Sequence, residues 1–389
     1  MTRFLIVVPP LVGHINPMIA VAAELSRHGH SVAWAGMPEI VGRLVGPTAT
    51  VFDCDAPRGP TGDLIQRPAG MRGIAAFRFL WEDFLIPLGE MMTPGVAAAV
   101  EQFRPDVLIV DQQAVAGALV GDRLGMPWVT SATTSVEFTG PLDSVPLVDE
   151  WVNGLFDDLR NRTGGTTGGA DPRFSPHLIV AFTTPELAGS PTVNSGPIRF
   201  VGPAIAARPT VGHFPWGWRD RGRKLVLVSL GTANPGSGSR FLAAAHAALA
   251  DRSERLQGVI VDPGHVLGRP AATADVLVLP FVPQLELMPW CSAVVCHAGH
   301  NTVCEALRYG VPLVVAPICD DQPVIARQVV ATGAGVQVPF GRITAERLGE
   351  AVDLVLDDPI HRKCAQRVGE SFEAAGGAVA AARYIEAVA

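Results

Sequence analysis

Short, unbroken apolar runs alternate along this chain with segments of helical periodicity, and that alternation limits the fold more than any other feature. Phe4-Leu5-Ile6-Val7-Val8 is the first run. An unbroken run suits a strand covered on both faces, since a half-solvated strand would alternate with polar residues. Asn16 is a good helix cap and Pro17 a good first helical residue; Met18, Val21, Ala22 and Leu25 then share one stripe, and Gly29 marks the stop. Ser31 to Ala35, Asp106 to Val110 and Val129 to Ala132 are further expected strands, with a helix through Leu124 between the last two. Strand–helix–strand rhythm implies a parallel, doubly wound α/β sheet.

The rhythm pauses over Gly202 to Arg221, which holds Pro203, Pro209 and Pro215, and then restarts. Strands are expected at Lys224 to Ser229, Val259 to Val261, Val276 to Leu279, Ser292 to His297 and Pro312 to Pro317, with a helix at Phe241 to Ala250. A chain of 389 residues exceeds one ordinary core. The expectation is two Rossmann-like domains facing across a cleft: residues 1–205, a linker at 206–220, and residues 221–389. Glu370 to Ala389 reads as an alanine-rich helix, and periodicity leaves open whether it stays with the second domain or crosses back to the first. Two segments break the pattern. Asp55 to Gly73 is rich in Pro, Gly and Arg, and Asn161 to Pro172, with its Gly-Gly-Thr-Thr-Gly-Gly, is expected to be a loop.

Composition narrows the function. Hydrophobic residues make up 48% and charged residues 17% of the chain, as in a compact enzyme. The net charge of −7 comes with no basic run of the kind that binds nucleic acid or anionic lipid. No apolar stretch reaches the roughly 18 residues of a membrane span. Met1 to Val8 is too short for a signal peptide and leads straight into a loop and helix, so none is expected. Six scattered cysteines suit a reducing cytoplasm. A homodimer is left open.

The most chemically specific stretch is Cys296-His297-Ala298-Gly299-His300-Asn301-Thr302-Val303-Cys304-Glu305. It runs from an apolar strand through a tight turn into a helix that ends near Gly310. A helix start carries unpaired N–H groups and partial positive charge, and a small turn lets a phosphate approach them. His297, Asn301 and Thr302 can add side-chain donors. Glu305 lies one turn on, where a carboxylate can accept two ribose hydroxyls. Cys296 and His297 are strand neighbours on opposite faces, which argues against a zinc site. Asp53-Cys54-Asp55 reads as a solvated turn. There is no G-x-G-x-x-G after the first strand and no Walker lysine in Gly231 to Gly238, so dehydrogenase and P-loop readings are excluded. In the first half, His14 follows the first strand and Asp111 ends another, so both can reach the carboxyl edge of the sheet, where open α/β sheets bind ligands. On the residues alone, His14 reads as a loop histidine capping Asn16's helix and Asp111 as a strand terminator.

Taken together, His297 to Glu305, Gly310-Val311-Pro312, Pro317 and Asp321-Gln322 resemble the donor-binding signature of family 1 glycosyltransferases, GT-B enzymes that use nucleotide sugars. Phe281-Val282-Pro283-Gln284 resembles that family's base-binding segment, Ser229-Leu230-Gly231-Thr232 its phosphate-contacting turn, and Gly13-His14-Ile15-Asn16-Pro17 its acceptor-side loop. The resemblance spans nearly the whole chain and is nearest to bacterial macrolide and polyketide transferases. The plant signature has Cys, Trp and Ser where this chain has Ala298, His300 and Thr302.

The resemblance implies a metal-independent, inverting hexosyltransferase-type enzyme without a cofactor. Its co-substrate would be a UDP- or TDP-sugar and its acceptor a small, largely apolar natural product. It implies donor binding by Gly231, Thr232, Phe281, Val282, Gln284, His297, Gly299, Asn301, Thr302, Glu305, Asp321 and Gln322. His14 would be the general base and Asp111 its orienting partner. Phe77, Trp81, Phe84 and Met91 are candidates for an apolar acceptor wall. A GT-B nucleotide-sugar epimerase and a non-catalytic nucleotide-binding helper are the alternatives.

Overall fold

The computed structural model describes residues 1–54, 71, 73–140, 146–165, 168–192, 196–205, 214–231, 238–268 and 273–389. The chain divides into two compact units: Met1–Pro185 with Gly189–Ala207 and Ala375–Ala389, and Glu186–Ala188 with Arg208–Ala374. Among the described residues, each unit is built on one parallel sheet flanked by helices.

The first unit's strands are β1 (Arg3–Val7), β2 (Ser31–Gly36), β3 (Val51–Asp53), β4 (Val107–Asp111), β5 (Trp128–Ala132), β6 (Ile179–Ala181) and β7 (Ile198–Phe200). They lie in the order β3-β2-β1-β4-β5-β6-β7. Successive side chains of a strand point to opposite faces. Leu5 and Val7 therefore join a core with the helices Ile86–Phe103 and Pro146–Thr163, while Phe4, Ile6 and Val8 join another with the helix Val12–Arg27. Both faces are covered, which is why the run carries no polar residue.

Local signals misplaced several boundaries. The helix after β1 starts at Val12, so Pro17 lies inside it and Asn16 does not cap it. His14 accordingly sits in the helix's first turn, its N–H donating to the Leu11 carbonyl at 2.9 Å. Asn161-Arg162-Thr163, expected in a loop, closes the helix Pro146–Thr163. Asp55 to Gly70 and Arg72 lie outside the described residues. The C-terminal stretch is two helices, Pro359–Ala375 and Gly377–Glu386, broken where Gly376 and Gly377 take φ of +87° and +57°. The second of these belongs to the first unit. Ala381, Ala382 and Ile385 pack into the core of Phe4 and Ile6, and one oxygen of Glu386 meets His28 Nδ1 at 2.6 Å and His30 Nε2 at 3.1 Å.

Two residues of the expected acceptor wall lie in the core. Trp81 and Phe84 are buried in the first unit's core, and Phe77 and Met91 pack partly buried against it. A π-helical stretch, Phe79–Leu85, turns Trp81, Phe84 and Leu85 inward, where Trp81 stands edge-on to Phe156 with ring centroids 5.5 Å apart. Burying rings this large outweighs the other uses open to them.

The second unit's strands are β8 (Lys224–Ser229), β9 (Leu256–Val261), β10 (Val276–Leu279), β11 (Cys291–Cys296), β12 (Leu313–Val315) and β13 (Gly335–Gln337), in the order β10-β9-β8-β11-β12-β13. Val226, Val228, Ala293, Val295 and Val314 bury one face under the helices Ser239–Ala250 and Ala345–Asp357. Part of the stretch expected as linker is held by this unit: Trp218 Nε1 donates to the Thr273 carbonyl at 2.8 Å, and Gln257 Nε2 to the Trp218 carbonyl at 3.1 Å. In both sheets the first strand of the series lies beside the fourth, β1 beside β4 and β8 beside β11. The connections leave in opposite directions at those points, so the carboxyl ends of each pair border a crevice.

Candidate active site

Beyond β1 and β4, three side chains meet. His14 Nδ1 lies 2.9 Å from Asp111 Oδ1 and 2.7 Å from Thr133 Oγ1. Thr133 Oγ1 also donates to Asp111 Oδ2 at 3.0 Å, and the Gln113 main-chain N–H donates to Asp111 Oδ1 at 2.9 Å. Asp111 is wholly buried, whereas the His14 side chain keeps 15% of its surface. A carboxylate beside Nδ1 selects the tautomer with its proton there, which puts the Nε2 lone pair on the opposite edge of the ring.

Beyond β8 and β11, the second unit forms a turn around one imidazole. Ala298 takes φ of +66°, Gly299 caps the helix His300–Arg308, and His297 precedes them. A β-carbon on Gly299 would stand 2.5 Å from His297 Nε2, and one on Gly231 would stand 2.6 Å from its Cε1. The two glycines thus leave the slot that the ring fills. The first-turn N–H groups of the helix have no intrahelical acceptor. Thr302 and Glu305 follow on one face, and Gln284 Nε2 reaches both, at 3.4 Å to Thr302 Oγ1 and 2.6 Å to Glu305 Oε2. Asn301 is the second residue of the same helix and is partly exposed. Phe281 is 52% exposed just after β10, with Val282 partly buried beside it.

Not every expected residue is positioned as foreseen. Thr232 lies outside the described residues. Gln322 Oε1 accepts the main-chain N–H groups of Ile318 and Cys319 at 2.8 and 3.1 Å, so that oxygen clamps the loop before its own helix. Asp321 stands at the cap position of that helix, Gln322–Thr332. All six cysteines are buried free thiols, and burial pushes Cys296 up to about 12. Among the described residues, no group of three or more His, Cys, Asp or Glu side chains is arranged to hold a metal, and no helix is long and apolar enough to cross a membrane.

Comparison with known proteins extends this geometry. Residues 260–382 match the family described as erythromycin biosynthesis protein CIII-like, C-terminal domain. The chain is 30% identical over 424 residues to 4'-demethylrebeccamycin synthase of Lentzea aerocolonigenes, covering 99% of each. The chain belongs to the family 1 natural-product glycosyltransferases. Among solved structures, the glycotransferase of kitacinnamycin superimposes with a TM-score of 0.82 at 24% identity, over 100% of this chain and 98% of that one. Spinosyn rhamnosyltransferase SpnG gives 0.77 at 25% identity, over 99% and 100%, and has been captured with thymidine diphosphate and with spinosyn aglycone. The two parallel-sheet units of this family 1 glycosyltransferase are those of the GT-B fold. It is an enzyme that transfers a glycosyl group, and the epimerase and helper alternatives give way to that.

Sequence reasoning missed Thr133, which ties the histidine to the aspartate. Its signal was present: it is a polar residue just past the carboxyl end of an expected strand, and β5 pairs directly with β4. Also missed was a buried polar group behind Asp111, formed by Gln113, Glu137, Arg173 and Asp171.

Burial pushes the His297 imidazole down to about 4, against a smaller opposing hydrogen bond that the ring donates to the Ser229 main chain. The ring is therefore neutral in the folded glycosyltransferase near neutral pH. The unfolded chain binds a proton below about 6.5 that the folded state refuses until about 4, so this residue's share of stability is present above 6.5 and lost as pH falls through that window. Denaturant unfolding should show a loss on the order of 3 kcal/mol between those limits. His297→Asn should remove that part of the pH slope, and an unchanged slope would count against the neutral burial of the ring.

Proposed function

We propose that this enzyme moves a sugar from a UDP- or TDP-sugar to a small natural-product acceptor, with inversion and without a metal. His14 is its general base and Asp111 the orienting partner. The observation that carries this reading is the His14–Asp111–Thr133 cluster beyond β1 and β4. His14 Nε2 takes the acceptor's proton as the acceptor atom bonds to the anomeric carbon. The bond from that carbon to the diphosphate oxygen breaks, and its electron pair leaves with the phosphate. The imidazolium so formed is stabilised by Asp111, and Thr133 helps hold the ring.

The second unit's turn is suited to the leaving group. The start of the helix His300–Arg308 offers N–H groups and partial positive charge, with Gly231, Gly299, His297, Asn301 and Thr302 around it. These donors meet the charge that a divalent cation would otherwise neutralise. Phe281 and Val282 suit the base, and Glu305, steadied by Gln284, the ribose. Asp321 suits the sugar hydroxyls, with the Gln322 amide nitrogen as a further donor. The thymidine diphosphate and spinosyn aglycone complexes of SpnG support a nucleotide donor and an aglycone acceptor.

The test is product stereochemistry. An α-linked donor should give a β-glycoside, read from the anomeric proton coupling, at an undiminished rate in the presence of a chelator. Retained configuration would remove direct displacement, and a rate restored only by added divalent ion would remove the metal-free electrostatics.

A further inference from the structure

The network behind Asp111 contains a carboxylate that the reaction as described does not use. Glu137 follows β5, and its side chain keeps only 8% of its surface. Its Oε1 accepts from Gln113 Nε2 at 3.2 Å. Gln113 is the same residue whose main-chain N–H donates to Asp111 Oδ1. Glu137 Oε2 is buried without a hydrogen-bond partner, and Arg173 Nη1 stands 3.9 Å away, beyond hydrogen-bond length. Arg173 is instead committed to Asp171, at 2.6 Å from Nη2 and 3.0 Å from Nε. Its guanidinium also packs against the rings of Trp81, Phe156 and Phe174. A glutamine would satisfy Gln113 equally well without the cost of burying an acid with half its acceptor capacity unmet. The acid therefore calls for a reason beyond packing.

We propose that Glu137 is a positioning residue for the His14–Asp111 pair, fixing Gln113 on Asp111 and lending its negative charge to the imidazole's proton affinity. This rests on His14 being the base. The charged groups that bear on Glu137 are Arg173, Asp171 and Asp111, with Asp149 acting on Arg173. Burial pushes the Glu137 carboxyl up to about 7, Arg173 and Gln113 oppose that rise, and Asp171 and Asp111 add to it. Glu137 is thus ionised above about 7, and there it favours the imidazolium, so removing the charge makes His14 a weaker base in that range.

The test compares the full-length parent with E137Q, E137A and H14A, following kcat and kcat/KM for the acceptor from about pH 5.5 to 9. E137Q keeps the contact to Gln113 but not the charge, so its kcat/KM should fall by roughly twofold above about pH 7, where Glu137 is ionised in the parent, with little change below. E137A loses the contact as well, and its kcat should fall about tenfold at an unchanged KM for the nucleotide sugar. An E137Q profile unchanged above about pH 7 overturns the inference, including where E137A merely folds less well. If H14A is inactive while both Glu137 variants match the parent, only this inference fails. If H14A turns over like the parent, the base assignment fails and takes this one with it.

Discussion

His14→Ala should lower the transfer rate by about a hundredfold to ten-thousandfold, the range a positioned general base contributes, with no change in affinity for a nucleoside diphosphate. The expected split follows from where the groups sit. His14 belongs to the first unit, as do Asp111 and Thr133, whereas Gly231, His297, Gly299, Thr302 and Glu305 belong to the second. Alanine at position 14 is also the cleanest cut. The His14 side chain keeps 15% of its surface, whereas Asp111 is wholly buried. Asp111 is a poorer probe, because its buried carboxylate serves His14, Thr133 and the Gln113 N–H together, and truncation would disturb all three contacts at once. Initial rates with saturating nucleotide sugar, paired with calorimetric titration of the free diphosphate, check both halves. Parent-like transfer by His14→Ala would falsify the base assignment.

Gly299→Ala should cost the enzyme roughly tenfold to a hundredfold in nucleoside diphosphate affinity, the equivalent of one charge-assisted hydrogen bond. The new β-carbon would stand 2.5 Å from His297 Nε2 and 2.8 Å from Cε1, a distance at which the ring must move. Gly299 has φ of −65°, an ordinary value for alanine, so the backbone bears no strain of its own. Gly231 would be a less clean site, since its φ of +73° adds backbone strain to the same collision. The slot is closed on both sides by main chain, so the displaced ring should lose its aim at the phosphate. Gly42→Ala is the control: it lies on a helix of the first unit with nothing within 4 Å of the added carbon, and it should bind like the parent. Parent-like binding by Gly299→Ala would show that His297 is not a phosphate donor.

The legible parts of this protein were those that sequence-local physics controls. The run Phe4 to Val8 announced a strand buried on both faces because each residue must suit the core on its own side. The turn at His297-Ala298-Gly299 announced a helix start because the glycine and the strand before it allow little else. The aromatic stretch from Phe77 to Met91 was ambiguous because the same residues suit a ligand wall and a core, and only packing against Phe156 and the neighbouring helices put Trp81 and Phe84 in the core. Gln322 was half misread for a similar reason. A carboxamide at a helix start can face a ligand or turn back on its own loop, and here its oxygen turns back.

By itself, the sequence determined the parallel α/β class, the two strand–helix series and the family signature of the second series. Periodicity and turn chemistry operate over a few residues, and each of these is written at that range. Only the tertiary structure set Asp111 and Thr133 against His14, from 97 and 119 residues away, because strand order comes from hydrogen bonds between segments that no local pattern pairs. It also decided that the last helix would pack on the first unit. The alanines and the isoleucine of that helix need an apolar surface, and which surface they reach is a matter of global packing.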